Sequence, residues 1–451
     1  MSPSAFLRRL LHGTLWSGLG SVAVRGLLTA SLLVAARLLG PTAFGWVSLP
    51  HQAGGMVGTA TGYGLSTAAT KSVSQAIRCR PDEAVPLARG AHRLASVAAV
   101  ALSLFGLAVA LVAWSVGAET VALAALLGGP IAGLTSLQLT QFGLFASFGA
   151  YRRQTVSVVA GTLVGSIAIV AASVLQSLLA VVLSLLLLLG LQAFLLARGL
   201  RKEAAARRAT TATSPHIGGS TSLSLRSTFR QLRGIAVPAT LVAAAGSLAQ
   251  LAGIGIVWAT DPGGREFGLF AAANQCFVLL MFVPILLCNV LFPLLVEQSS
   301  SKASVGGVLG VILVAATPAF GLSFFVEPLS GWFGSQYGGI APVLSLTLWA
   351  VAAAAVVRPL YLALAGLDAM ALTPLLATAS AVVLVGLAWR WRGDGATGLA
   401  AARVASMSLH AGLAAALLGR TAWTRRKRTR ELAPLLDPLT TSPPNAGRLA
   451  A

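Results

Sequence analysis

Negative charge is what this sequence has least of. Twelve Asp and Glu stand against 32 Lys and Arg in 451 residues. Asp82, Glu83, Glu119, Glu203, Asp261, Glu266, Glu297, Glu327, Asp368, Asp394, Glu431 and Asp437 all fall in expected loops, tails or helix ends, so no acid lies inside a long apolar run. That argues against ion-coupled export of organic cations, which needs an acid at membrane depth to hold both the cation and the coupling ion. Cysteine is scarcer still: Cys79, Cys276 and Cys288 show no CxxC spacing, which removes a disulfide framework and a cysteine metal site. His51 and His410 stand alone in apolar stretches, so no metal and no cofactor is expected.

What the sequence has in abundance is apolar length. Hydrophobic residues make up 56% of the chain, charged residues only 10%, and the mean hydropathy is +0.83. Charge-poor windows of membrane-spanning length recur throughout. They place helices near 13–39, 43–66, 94–116, 120–149, 154–175, 178–197, 234–259, 267–296, 304–326, 341–366, 370–389 and 397–419. The expected fold is an all-α polytopic membrane protein of about twelve transmembrane helices. With both ends in one compartment, that compartment collects 25 Lys and Arg, and the opposite loops hold only Arg265, Arg390 and Arg392. This asymmetry puts both termini in the cytoplasm. Most of the net charge of +20 is then topology and contact with anionic membrane lipids, and no nucleic-acid partner is implied. Arg8 and Arg9 imitate the start of a secretory signal, but the apolar run that follows is too long and contains Arg25.

The longest polar stretch divides the chain near its middle. The expected organisation is an N-lobe (1–197, helices 1–6), a basic cytoplasmic linker (198–233), a C-lobe (234–419, helices 7–12) and a basic, partly disordered tail (420–451). The halves repeat: "GPTAFGWVSLPHQ" (40–52) and "DPGGREFGLFAAANQ" (261–275) both read Pro, turn residues, Phe-Gly, helix. Phe44-Gly45 and Phe267-Gly268 are 223 positions apart, and the same offset sets His51-Gln52 on Asn274-Gln275. An even number of helices per half gives both copies the same orientation, hence a pseudo-twofold axis along the membrane normal and a substrate path between two six-helix lobes. No loop carries the acids of a membrane glycosyltransferase, nor is there the large extracytoplasmic loop of a polysaccharide polymerase or ligase, so no enzyme is expected.

The bases are distributed differently from the acids. Arg25, Arg37, Arg358 and Arg403 lie within expected spans with no acid of similar depth, and an anionic substrate is the economical reading. Each has a plainer alternative. Arg37 stands near a helix end and is placed to reach the interface. Arg358 precedes Pro359, where a kink frees backbone carbonyls. Arg403 is close enough to the start of the last helix to snorkel outward. Arg25 is the leading candidate, because Ser17, Ser21, Arg25 and Thr29 recur every four residues as a polar stripe; the alternative is close helix packing through Gly13, Gly18, Gly20 and Gly26. Gln52, Gln138, Gln141, Gln250, Asn274, Gln275 and Asn289 add intramembrane amides that suit sugar hydroxyls, although interhelical bonding is their commoner role.

The segments "ARLLGPTAFG" (36–45), "FASFGAYRRQTV" (145–156) and "EFGLFAAANQCFVLLMFVPILLCNVLFPLL" (266–295) resemble bacterial polysaccharide-unit flippases, the Wzx-like branch of the multidrug/oligosaccharidyl-lipid/polysaccharide exporter superfamily. The resemblance implies a MATE-like pair of lobes, alternating access and a cationic cavity for a polyprenyl-diphosphate-linked oligosaccharide, carried from the inner to the outer leaflet of the cytoplasmic membrane for cell-surface polysaccharide synthesis. Polysaccharide polymerase and glycosyltransferases would be further partners. Arg25 matches the family's basic residue in the first helix. Arg37, with Gly40, Pro41, Phe44 and Gly45, matches the turn motif and is expected to be structural or interfacial. The expected substrate-binding set is Arg25, Ser21, Thr29, Asn274, Gln275, Arg358 and Arg403. The rival readings are a cation-coupled multidrug exporter of the same superfamily and a non-transporting scaffold for cell-envelope enzymes.

Overall fold

The computed structural model describes residues 3–211, 224–282, 320–366 and 372–440, with isolated positions between 284 and 318. Among the described residues the regular structure is all helical. In chain order the helices are α1 (Pro3–Cys79), α2 (Pro81–Ser115), α3 (Glu119–Phe148), α4 (Tyr151–Val174), α5 (Leu178–Thr211), α6 (Leu225–Thr260), α7 (Arg265–Leu280), α8 (Val326–Phe333), α9 (Ile340–Gly366), α10 (Thr373–Arg390) and α11 (Gly395–Thr440).

Nine described helices are long and apolar enough to cross a membrane. The first candidate, Gly18–Cys79, has 62 residues, about three times the ~20 that a bilayer needs. It is two spans. At Gly40 the backbone leaves the helix with φ 75° and ψ 169°, a conformation that strains any residue with a side chain. Pro41 follows at once with φ already suited to a new helix, so the expected turn shrinks to a one-residue break. The expected ninth helix (304–326) lies mostly outside the described residues, as does the end of the eighth.

Several helices outrun their expected bounds. α1 continues to Cys79, α5 to Thr211 and α11 to Thr440, and α2 begins at Pro81. Charge-poor windows mark where a helix meets lipid, whereas its hydrogen-bond ladder continues into water. Lys71, Arg78, Arg89 and Arg201 therefore stand on helical extensions, and α11 runs well into the segment read as a partly disordered tail.

The two halves use the same order of neighbours. The first span of α1 packs on α4, where Gly20 faces Thr155, and its second span packs on α3, where Gly54, Gly58 and Gly62 face Gly128, Ala132 and Ser136. In the second half α6 packs on α10 and α7 on α9; likewise α4 on α5 answers to α10 on α11, and α3 on α5 to α9 on α11.

The halves meet where the repeat predicts. A Cβ on Gly45 would lie 2.2 Å from the Gly264 carbonyl oxygen, and one on Gly268 would lie 1.8 Å from that of Pro41. Position 264 is 41 moved by the repeat offset and 268 is 45 moved likewise, so this is one contact made twice, the signature of a twofold interface. The two phenylalanines of the repeat, Phe44 and Phe267, are fully buried, and Trp258 packs edge-on against both Trp46 (5.0 Å) and Phe267 (5.8 Å).

A second tie joins the kink to the far half. Tyr337, buried in the short 3-10 turn Ser335–Tyr337, donates its hydroxyl to the Ala36 carbonyl at 2.8 Å. That carbonyl lies in the last turn before the break, where a helix has acceptors to spare. Burial pushes the Tyr337 hydroxyl above the usual tyrosine range, which keeps it a donor.

Gly268→Ala and Gly45→Ala are expected to cost about 1–3 kcal/mol each by overpacking. Gly55→Ala, whose Cβ would meet nothing within 4 Å, serves as the neutral control. Thermal unfolding of the purified protein checks this; a Gly268→Ala protein that melts with the wild type refutes the crossing.

Candidate functional site

Near the same crossing lies a buried polar chain built from three helices. Gln52 stands in the second span of α1, Asn274 in the middle of α7 and Arg403 early in α11; their exposures are 7%, 9% and 6%. α7 and α11 run side by side from a shared start. Asp261 accepts the Glu266 N–H at 2.7 Å, and Glu266 in turn accepts the Ala396 N–H at 3.0 Å where α11 begins. Both acids thus serve helix N-termini, where negative charge is favoured. Counting on from that clamp, residue 274 of α7 and residue 403 of α11 come level.

Arg403 Nη1 donates to Asn274 Oδ1 at 2.6 Å, and Asn274 Nδ2 donates to Gln52 Oε1 at 3.4 Å. The guanidinium lies over the Phe277 ring, 3.6 Å from its centroid, a cation–π contact one turn beyond Asn274. Apolar residues of α9, Ala350, Val351 and Ala354, pack against Phe277. Among the described residues Arg403 Nε, Gln52 Nε2 and His51 Nδ1 are buried without hydrogen-bond partners. Among the described residues no carboxylate pairs with Arg403; the ion pairs are Arg80–Glu83, Arg153–Glu203, Arg207–Glu203 and Arg265–Glu266, all at helix ends or extensions.

A buried guanidinium costs several kcal/mol in desolvation unless an anion and full hydrogen bonding compensate it. Here one amide oxygen and one ring face do so, and a donor is left over. The arrangement is chemically suited to a phosphate or carboxylate, which would take the spare donor and balance the charge.

Of the expected set, the structure brings Arg403 and Asn274 together, and Gln275, next in α7, is also buried. Ser21 and Arg25 are half-buried on the first span of α1 and Thr29 is buried. Arg358 is in α9 immediately before Pro359, and its side chain lies outside the described residues, as does that of Ser17. Arg37 is exposed and lies over the Trp332 ring at 5.7 Å; Gly40, Pro41, Phe44 and Gly45 form the kink and crossing. Gln52 was legible as an intramembrane amide but not as Asn274's partner; the repeat offset, which sets it opposite Gln275, was the available signal. Phe277 gave none. Among the described residues no three His, Cys, Asp or Glu side chains cluster to hold a metal.

No protein-family profile matches the chain, and no curated protein matches it. Solved structures do. An inward-facing multidrug-resistance MATE-family transporter of the MOP superfamily superposes with a TM-score of 0.65 at 14% identity, over 90% of this chain and 96% of that one. A MATE crystallised in complex with MaD3S gives 0.60 at 16%, over 93% and 96%. A MOP superfamily transporter from Pyrococcus furiosus, for which reverse polarity of the binding pocket suggests a different function, gives 0.58 at 14%, over 92% and 95%. The chain has the MATE-like, two-lobed all-α fold.

Because Arg403 is poorly compensated, Arg403→Met is expected to leave stability unchanged or raised, whereas Asn274→Leu strands the buried charge and costs about 3–5 kcal/mol. The double variant should recover most of that loss. Thermal unfolding of the three purified proteins decides it; an Arg403→Met protein as unstable as Asn274→Leu contradicts this account of the charge.

Proposed function

We propose that this protein is a membrane transporter of anionic substrates that flips a polyprenyl-diphosphate-linked oligosaccharide between leaflets by alternating access. The observation that carries the reading is Arg403: a buried cation on the last helix, tied to α7 and through Asn274 to α1, with a spare donor and no carboxylate among the described residues. An exporter of cations would be repelled there. The fold supports transport, since its neighbours are transporters, and one of them is described as having a pocket of reversed polarity. The resemblance of segments 36–45, 145–156 and 266–295 to polysaccharide-unit flippases supports the substrate class.

In this reading Arg403 and Arg25 meet the diphosphate, the amides of Gln52, Asn274 and Gln275 meet sugar hydroxyls, and the lipid tail stays in the bilayer. Arg358 is assigned to the same path. The crossing of Gly45 and Gly268 closes one end of that path and has to part during the cycle, so substrate or coupling energy must bias the two arrangements. The 25-to-3 division of basic residues supports an inner-membrane protein with cytoplasmic termini, the glycine crossing lying toward the outer leaflet. Surface-polysaccharide enzymes are the partners this reading implies.

The second reading, a cation-coupled multidrug exporter, draws on the multidrug MATE neighbours. Proteoliposomes separate the two. With fluorescent polyprenyl-diphosphate-linked sugar, wild type is expected to flip the lipid. Arg403→Met and Arg25→Ala should each slow it at least tenfold, the worth of one charge-assisted hydrogen bond of about 1.5–3 kcal/mol, while Arg25→Lys keeps transport. Full flipping by Arg403→Met overturns the assignment of that residue. Proton- or sodium-driven efflux of a cationic dye, with no flipping of any polyprenyl-linked sugar, favours the exporter.

A further inference from the structure

A cavity of about 470 Å³ opens between the start of α4 and the second half of α5, with none of the Gln52–Asn274–Arg403 residues in its lining. Arg152 and Arg153 of α4 and Arg198 and Lys202 of α5 line it, with Val156 and Leu195 as its apolar wall. Among the described residues one of these cations is ion-paired. Glu203 takes Arg153 at 2.5 Å and also Arg207 at 3.4 Å, and Arg207 is engaged further with the Phe148 carbonyl at the end of α3. Arg152 rests over the Trp16 ring at 5.5 Å; among the described residues it, Arg198 and Lys202 have no carboxylate within ion-pairing distance.

The sequence of the two helices shows what such a cavity meets. On α4, Arg152, Val156, Leu163 and Ile167 recur at helical spacing and are all exposed; on α5, Leu183, Leu187, Phe194, Arg198 and Lys202 do the same. The helices are antiparallel, so both stripes change from apolar to cationic at the same end of the bundle. Between the stripes the helices are locked: a Cβ on Gly165 would lie 2.3 Å from Leu188 Cβ, and one on Gly161 would lie 2.7 Å from Gln192 Cγ. The result is a close-packed seam with a cationic cup at its charged end and exposed apolar residues below. Two arginines in the first turn of α4 also oppose the helix dipole, which favours negative charge there. An anion in the cup relieves that conflict.

We infer that the α4–α5 cup binds the phosphate headgroup of an anionic membrane phospholipid, whose acyl chains lie along the exposed faces of the two helices. A free phosphate would satisfy the cations but not use the apolar stripe; a phospholipid uses both. The inference does not depend on the substrate proposed above.

The test uses full-length protein in detergent, titrated with phosphatidylglycerol or phosphatidylcholine and read by native mass spectrometry, with thermal unfolding as a second readout. Wild type is expected to retain phosphatidylglycerol preferentially and to be stabilised by it. Each of Arg152→Gln, Arg198→Gln and Lys202→Gln, all exposed positions, should reduce the preference about fivefold. Arg198→Lys should keep it, and so should a control with Arg226, Arg230 and Arg233 changed to Gln. Wild-type preference in a variant combining Arg152→Gln, Arg198→Gln and Lys202→Gln, or equal loss in the control, overturns the site. Displacement of the lipid by inorganic phosphate overturns its assignment to a phospholipid. None of these readouts involves flipping, so the site stands or falls apart from the transport reading.

Discussion

Backbone meets backbone where α1 and α7 cross, and the relation between the two halves depends on that approach. A side chain at Gly45 or Gly268 would occupy the place of the other half's main chain. The two contacts are related by the repeat offset, so each half supplies both the small residue and the carbonyl that lies against it. Around this point the other features follow in order. Gly40 and Pro41 break α1 so that its second span can turn onto the axis, Phe44 and Phe267 fill the space beside the crossing, and Tyr337 supplies a donor to a carbonyl that the break leaves over. The buried chain Gln52–Asn274–Arg403 lies about two turns further along the same two helices.

The spans were legible because the bilayer imposes a strict rule on composition: ionisable groups at depth are costly, so their absence marks the membrane. The same rule says nothing about where a helix ends. α1, α5 and α11 continue past their charge-poor windows because nothing in water forbids it, and the basic residues read as loops proved to be helical. The repeat was legible in four aligned positions, Phe44-Gly45 on Phe267-Gly268 and His51-Gln52 on Asn274-Gln275, of which the Phe-Gly pair lies at a turn and a backbone crossing that tolerate few alternatives. What stood between those positions tolerated many.

The polar site was partly legible for a related reason. Arg403 and Asn274 stood out as polar groups in apolar surroundings, but their pairing across 129 positions depends on the level at which α7 and α11 start. That level is set by Glu266 reaching the first turn of α11, a contact no periodicity announces. Arg25 ranked first on sequence because it belonged to a stripe, and Arg403 ranked lower because snorkelling was open to it. In the structure Arg403 is turned inward, over Phe277, with 6% of its surface exposed.

That inward turn is the strongest argument about function. An arginine so near a helix start had a route to water, and following it would have been favourable. Replacing a buried ion pair by apolar side chains often stabilises a protein, and an unpaired buried cation has still less to offer stability. The described carboxylates, meanwhile, are spent on helix N-termini and on surface pairs: Asp261 and Glu266 at the starts of α7 and α11, Glu203 between Arg153 and Arg207. Among the described residues the acids that make these contacts stand at helix ends and extensions, while Arg403 holds a positive charge within the bundle. Folding alone gives little reason for that arrangement, whereas the anionic cargo we propose would supply one, because its charge is absent from the folded protein and arrives only with the substrate.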